Sequence, residues 1–323
     1  MGQMTNGTSD HPHGSDHAHG SDHAHDHQHA DDGKPRIGFI GAGRVGTALG
    51  VALSRAGWEV TGVASRDEAR RARFHSLVAT ARAFEDASNV LDEADLIFLT
   101  VPDDAIAGAA QSLHLYSGQA LVHTSGALPA SVLAPAMAAG TSKASFHPLV
   151  AFADLDRALE ALHGATVALD GDESLLPVLA DMAESIGARP VRLPEGGKSA
   201  YHAAAMLAAG GLIGLLDGIV QVAQLAGLDE KTALGVYLPL ARQALANSEQ
   251  FGVDSSLTGP FVRGDVGTVR GHLEVLRGSA PDALALYVAV ARRELAIARR
   301  RGRLADDSAA QLEALLDQAS PAG

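Results

Sequence analysis

Ile37-Gly-Phe-Ile-Gly-Ala-Gly-Arg-Val-Gly46, followed by the apolar stretch Thr47–Ala56, decides how the rest of the chain is read. The order is strand, glycine turn, helix. Gly41 permits the tight turn, Gly43 lets backbone approach a pyrophosphate, and Gly46 lets the helix pack closely on the strand. The helix N-terminus offers free N–H groups and the positive end of its dipole to phosphates. Gly41, Ala42, Gly43, Arg44, Val45 and Gly46 are therefore expected to form a dinucleotide loop.

After Gly57, a helix stop, Trp58-Glu-Val-Thr-Gly-Val-Ala64 reads as the second strand, with Ser65-Arg66-Asp67 at its tip. An NAD site wants an acidic residue there for the ribose 2′-OH, whereas a hydroxyl and a guanidinium suit a 2′-phosphate. Ser65 and Arg66 therefore point to NADP, with Arg70 one turn on as a second clamp. Asp67 lies near the spacing of an NAD acid, but it reads better as the cap of the next helix.

From Lys34 the pattern alternates. Leu96–Val101 is an apolar strand ending in Pro102-Asp103-Asp104, and Val101 and Pro102 fall at the expected cofactor edge. Further strands are expected at Ala120–Thr124, Ala144–His147, Ala165–Leu169 and Arg189–Leu193, with helices at Leu128–Ala139 and Ser174–Ile186. Past Pro194-Glu-Gly-Gly-Lys198 the alternation stops, and helices are expected over Ser199–Ala226, Glu230–Asn247, Val266–Arg277 and Asp282–Arg301, with a last one ending near Gln318. The fold class is α/β: a doubly wound Rossmann-type sheet over residues 34–194, then an all-helical C-terminal domain over 195–323.

Within that second domain Ala203–Leu216 is apolar for fourteen residues before Asp217, short of the ~20 that cross a bilayer, and reads as a buried central helix rather than a membrane span. Gly210, Gly211, Gly214 and Gly218 would let another helix approach, so a homodimer through the helical domain is expected.

The chain has 323 residues and no cysteine, which excludes disulfides, thiolate catalysis and cysteine-type zinc sites. Its net charge of −13 argues against a nucleic-acid partner. Six of those charges lie in residues 1–33, a His-rich tail that repeats Gly-Ser-Asp-His-Ala-His from Gly14 and from Gly20. With only Met1, Met4 and three alanines among its apolar residues, too few to build a core, the tail is expected to be disordered. No metal site is expected in the folded domains, although His17, His19, His23, His25, His27 and His29 suit loose binding of Zn²⁺, Ni²⁺ or Cu²⁺. The lack of an apolar signal segment leads us to expect a cytoplasmic protein.

Ligands of open α/β sheets bind outside the C-terminal strand ends. That rule selects Ser125 after the fifth strand, His147 before Pro148, and Tyr201-His202 opening the long helix. Arg263, in the polar insertion Leu257-Thr-Gly-Pro-Phe-Val-Arg-Gly-Asp265, could hold a substrate carboxylate or pair with Asp265. His147 has the strongest case as an acid/base, His202 could equally be a core histidine, and His123 reads as packed.

Taken together, Gly41–Gly46, Val101-Pro-Asp103, His123-Thr-Ser-Gly126, Phe146-His-Pro148, Tyr201-His-Ala203, Leu257-Thr-Gly-Pro260 and Arg263-Gly-Asp265, with His272 downstream, resemble the proteins that pair a Rossmann-like domain with domain of unknown function 2520. That family is similar to the 6-phosphogluconate-dehydrogenase-like group, which includes ketopantoate and pyrroline-carboxylate reductases. The resemblance implies an NADP-linked oxidoreductase of a small anionic keto or imino acid, with His147, Ser125, His202 and Arg263 at the substrate. Two departures stand against it. The Lys-x-x-x-Asn pair of several cousins has no expected equivalent, and Gly210 stands where relatives often carry Asn. The other reading is a non-catalytic NADP-binding sensor, metal-linked through the tail.

Overall fold

The computed structural model describes residue 1 and residues 33–319. The tail histidines 17–29 lie outside the described residues. The chain divides into Met1–Pro35 and Arg36–Gly323, and the fold below is that of the second unit.

Eight strands form one sheet: β1 (Ile37–Ile40), β2 (Val60–Ala64), β3 (Arg82–Phe84), β4 (Leu96–Leu99), β5 (Ala120–His123), β6 (Ser142–Pro148), β7 (Thr166–Gly171) and β8 (Arg189–Arg192). Their order is β3-β2-β1-β4-β5-β6-β7-β8. The six strands from β3 to β6 are parallel; β7 runs antiparallel to β6, and β8 follows β7 in parallel.

The centre of the sheet is apolar on both faces because both are covered. Ile37 and Phe39 of β1 and Leu96 and Phe98 of β4 face a core shared with helices α1 (Arg44–Arg55), α2 (Glu68–Leu77), α4 (Leu155–Leu162) and α5 (Leu176–Ser185). The alternate residues Ile40, Ile97 and Leu99 face a second core shared with α3 (Asp103–Gln111). Phe39 stacks on Phe98 at 5.2 Å between ring centroids, and Phe98 meets Phe146 edge-on at 5.6 Å. The period-two alternation thus sorts one strand's side chains into two cores.

Past β8 a single helix, α6 (Lys198–Leu225), leads away from the sheet, with a wider π-helical stretch at Leu207–Gly211. It is followed by α7 (Glu230–Phe251), two short turns at Val253–Ser256 and Pro260–Arg263, then α8 (Val266–Ser279), α9 (Pro281–Arg300) and α10 (Asp306–Ala319). Phe261, Val269, Leu273, Val288, Leu295, Leu312 and Leu316 give this region its own core.

Five elements differ from the sequence reading. β3 is a three-residue edge strand whose Arg82 and Ala83 are exposed, too short and too polar to carry an alternation signal. The helix expected over Leu128–Ala139 is only a 3₁₀ turn, Ala130–Ala136, because Pro135 inside it lacks the N–H that a longer helix needs. β7 and β8 reverse direction. The apolar stretch of α6 is not buried: from Ala203 to Gly214 no residue is buried, and no broad packing against the sheet domain covers it. By length and composition alone, Lys198–Leu225 is long and apolar enough to cross a membrane, with an 18-residue stretch of mean hydropathy 1.9.

Candidate active site

The glycine turn meets the geometry its sequence calls for. Gly41 has φ +110°, and an added Cβ there would sit 2.5 Å from the Thr100 carbonyl oxygen. Thr100 donates its hydroxyl to the Gly41 carbonyl at 2.6 Å, which ties the turn to the end of β4. A Cβ on Gly46 would strike Gly41 and Thr100, so this position tolerates no side chain. Gly43 has open space, and it caps α1 without any side-chain bond and with no acidic residue in the first turn. The first N–H groups of α1 are thus left for an anion, and the loop fits a pyrophosphate.

At the tip of β2, Asp67 accepts from the Arg70 N–H at 3.1 Å and caps α2, as the capping reading has it. Its carboxylate also holds the Arg70 guanidinium at 3.1 Å, so the expected second clamp is already paired. Arg66 is exposed with no ion pair among the described residues, and Arg71 donates to the Ser65 carbonyl at 2.5 Å. Arg44, Arg70 and Arg73 rim a cavity of about 370 Å³ beside the turn. A larger one, about 550 Å³, lies at the opposite end of α1 around Ala52, Ala56 and Leu159, away from the strand ends.

The strand ends of β5 and β6 meet the start of α6. His147 stands edge-on to Tyr201 at 5.8 Å and to His202 at 5.9 Å between ring centroids. Gly126 lies between them: a Cβ there would come within 2.5 Å of His202 Nδ1 and 2.7 Å of His147 Nε2. His147 Nδ1, Tyr201 Oη and His202 Nδ1 are the buried side-chain polar atoms without a hydrogen-bond partner among the described residues. Buried polar groups are nearly always paired. Three orphans converging on one strand edge mark a place built for a ligand.

Beneath them lies Lys198, only 4% exposed, which donates Nζ to Ser145 Oγ. Burial pulls its pKa down to about 8, against the opposing pull of Asp170 and Asp103. The same burial, together with the Lys198 charge, brings His147 down to about 4. At neutral pH the proton thus resides on Lys198 and not on His147. Burial also raises the Tyr201 phenol. The sequence reading missed this lysine, which lay in the apparent linker Pro194–Lys198. Its signal is spacing: Lys198 and His202 stand four apart at the opening of the long helix, the spacing of a Lys-x-x-x-Asn pair with His at the second position.

The other expected residues fall differently. Ser125 is 5% exposed; it donates to Asp103 at 2.7 Å and accepts from the N–H groups of Ala127 at 3.2 Å and Leu128 at 3.0 Å. Its hydroxyl closes the turn after β5 and has little capacity left for a substrate. His123 is packed, as expected: Nδ1 accepts from the Ser125 N–H, Nε2 faces the Pro129 carbonyl, and burial lowers its pKa to about 4. Arg263 is exposed, and its helical turn packs chiefly on α8 and α9, within the helical region. Asp265 caps α8 through the Thr268 N–H rather than forming a salt bridge with Arg263. His272 Nδ1 lies 2.9 Å from Tyr287 Oη, a pairing inside the helical region.

Residues 21–148 match the Rossmann-like domain, and residues 165–294 match the domain of unknown function DUF2520. The chain joins a Rossmann-like domain to DUF2520. The Rossmann-like match ends with β6 and the DUF2520 match begins just before β7, where the sheet reverses, so the second match takes in the last two strands as well as the helices. No curated protein matches the chain. Among solved structures, protein TM1727 from Thermotoga maritima is 28% identical over 83% of this chain and 100% of its own, with a TM-score of 0.66. An imine reductase from Pseudomonas sp. is 16% identical over 87% of this chain and 99% of its own, at 0.61. A reductive aminase from Aspergillus terreus, in complex with NADPH, is 15% identical over 88% of this chain and 93% of its own, at 0.54. The last two are likenesses of fold.

Proposed function

We propose that this DUF2520 protein is an NADP(H)-dependent oxidoreductase that reduces a small keto or imino acid. The observation that carries the reading is the convergence of Lys198, His147, Tyr201 and His202, three of them with unpartnered buried atoms, on the strand edge that also holds the glycine turn. A sensor without turnover has no need of a buried cation beside vacant donors and acceptors. The fold neighbours that bear reductase names are consistent with it, and one of them is a complex with NADPH.

Gly41–Gly46 and the first turn of α1 would hold the pyrophosphate, with Arg66 and Ser65 at the 2′-phosphate and Val101-Pro102 at the edge of β4. Bound there, a reduced nicotinamide supplies hydride to the substrate carbon. Lys198 holds the proton destined for the oxygen or nitrogen of the reduced bond, because its lowered pKa leaves it charged at pH 7 yet able to release. His147, neutral, and Tyr201 orient that heteroatom by hydrogen bonds.

The test is direct. Purified protein should bind NADPH and oxidise it with at least one member of a panel of 2-keto acids, ketopantoate and cyclic imines. NADPH binding without turnover across the panel, unaltered by Lys198→Ala or His147→Ala, would leave only a nucleotide-binding protein.

A further inference from the structure

The face of the sheet that carries the second core changes character in one row. In β5, β6 and β7 the residues Ala120 and Val122, Ala144 and Phe146, and Val167 and Leu169 all face the first core. Alternation therefore sends His123, Ser145 and Asp170 to the other face. Strand pairing sets them side by side, His123 against Ser145 and Ser145 against Asp170, with Leu99 of β4 as the next member beyond His123. Leu99 belongs to the second core, whereas the three residues after it are polar.

Two of the three have partners on nearby backbone. His123 accepts from the Ser125 N–H at 3.2 Å, and Asp170 accepts from the Ala130 N–H at 2.7 Å, which ties β7 to the turn after β5. Ser145, between them, is fully buried, and the one hydrogen bond of its hydroxyl among the described residues comes from Lys198 Nζ. A buried hydroxyl is costly unless it is paired, and alanine would fill the same place without that cost. The serine is therefore explained by the lysine.

Lys198 has the converse need. A lysine as buried as this one gives up its proton unless something compensates the charge. Its ammonium has three N–H donors, and Ser145 takes one of them. The groups that face it come from several elements: Asp170 of β7 and Asp103 of α3 favour the ammonium, while His123 of β5 and His147 of β6 are neutral at pH 7 and add no charge. Tyr201 and His202 follow on its own helix. Of the two carboxylates, Asp103 is exposed and screened by water, whereas Asp170 is half-buried and in register with Ser145.

We propose that Ser145 and Asp170 are the positioning residues of Lys198: the serine oxygen and the carboxylate beside it seat the ammonium in its protonated form and leave its other N–H groups for a ligand beside His147. Both act through Lys198. The use of this seat in catalysis rests on the proposed reaction; the seat itself does not. Without the serine oxygen the ammonium loses a hydrogen bond that its neutral form needs less, and without the Asp170 charge it loses its nearer counter-ion. Either loss favours the neutral amine, so both substitutions shift the proton equilibrium in the same direction.

The experiment reads the lysine without turnover. The chain has four lysines, Lys34, Lys143, Lys198 and Lys231, so in full-length protein carrying carbon-13 at lysine Cε the Lys198 signal is assigned by its loss in Lys198→Arg. Followed against pH without NADPH or substrate, that signal should titrate with a midpoint at about 8. Ser145→Ala and Asp170→Asn should each lower the midpoint by about one unit or more, the worth of a hydrogen bond to a charged group. Ser145→Thr, which keeps the hydroxyl, should retain the native midpoint, and Asp103→Asn should move it less than Asp170→Asn. Ser145→Ala removes one oxygen and Asp170→Asn keeps an acceptor for the Ala130 N–H, so both should fold; if one does not, the other decides. A native midpoint at the ordinary lysine value of about 10.4, midpoints that neither substitution moves, or a threonine variant that titrates like the alanine would each overturn the proposal. Where turnover is found, the fall of kcat with pH should move down with the midpoint. Lowered midpoints in a protein that oxidises no NADPH would strike only the proposed reaction, and unmoved midpoints in a protein that turns over would strike only the seat.

Discussion

Leu96-Ile-Phe-Leu99 and Ala203–Gly214 are both apolar runs, and they end in opposite surroundings. The first is wholly buried, each alternate residue assigned to one of two cores. The second contains no buried residue at all. Apolar composition states that a segment must be covered; it does not state by what. In β4 the cover is local chain, α1 and α2 on one side and α3 on the other. In α6 none of the described residues buries residues 203–214, and the same helix carries, at its polar start, the lysine and histidine on which the proposed chemistry turns.

The contrast can be broken from either end. The largest effect is expected at the polar start: Lys198→Ala should lower kcat by ~10²–10⁴, the usual contribution of a general acid, while leaving NADPH affinity in place. Equal losses in affinity and turnover would remove Lys198 from the chemistry. In the native protein kcat should fall as pH rises through about 8, where the lysine loses the proton it must donate.

Next in size is the difference between the two apolar runs. Phe98→Ala should cost ~3–5 kcal/mol in denaturant unfolding, since a buried ring leaves a cavity among Phe39 and Phe146. Leu207→Ala should cost under ~0.5 kcal/mol at high dilution, as for a surface substitution. Its effect should grow with protein concentration if a second copy covers it. A large, concentration-independent cost at Leu207 would show that the segment is covered within one chain.

Arg66→Ala should reduce the preference for NADPH over NADH by roughly 10–100-fold, the worth of a charge-assisted hydrogen bond of ~1.5–3 kcal/mol. An unchanged preference would transfer the 2′-phosphate to Arg44 or Arg73 across the neighbouring cavity. The smallest effect concerns acid stability. His123 and His147 are held neutral down to about pH 4, whereas in the unfolded chain they take up protons below about 6.5. The unfolded state then binds more protons, so stability is complete above pH 6.5 and declines as pH falls from there towards 4. Thermal melts of His123→Gln should show a shallower decline; an equal slope would place the acid sensitivity elsewhere.

Much of this was legible in the chain itself. Local order sufficed for the glycine turn, because strand, glycines and helix are contiguous and the physical demands fall on residues 37–56. The cap at Asp67 was legible for the same reason. β3 was not, since three residues carry no period, and neither was the reversal at β7, since direction within a sheet is a property of neighbours. His147 and His202 were named from strand ends and helix start, but only folding shows them edge to edge around Gly126 with unpaired nitrogens. Ser125 shows the opposite case: it follows a strand end, as the rule for open sheets asks, yet Asp103 and two backbone N–H groups occupy its hydroxyl.

The sequence by itself determined the glycine loop, the break near residue 194 between alternating and all-helical chain, and the basic tip of β2, because each depends on residues within a few turns of one another. Tertiary structure alone decided that Lys198 is buried against Ser145 with a lowered pKa, and that residues 203–214 stand uncovered. Both are statements about solvent, and access to solvent is set by what the rest of the chain places around a residue, not by the residue's own neighbours in sequence.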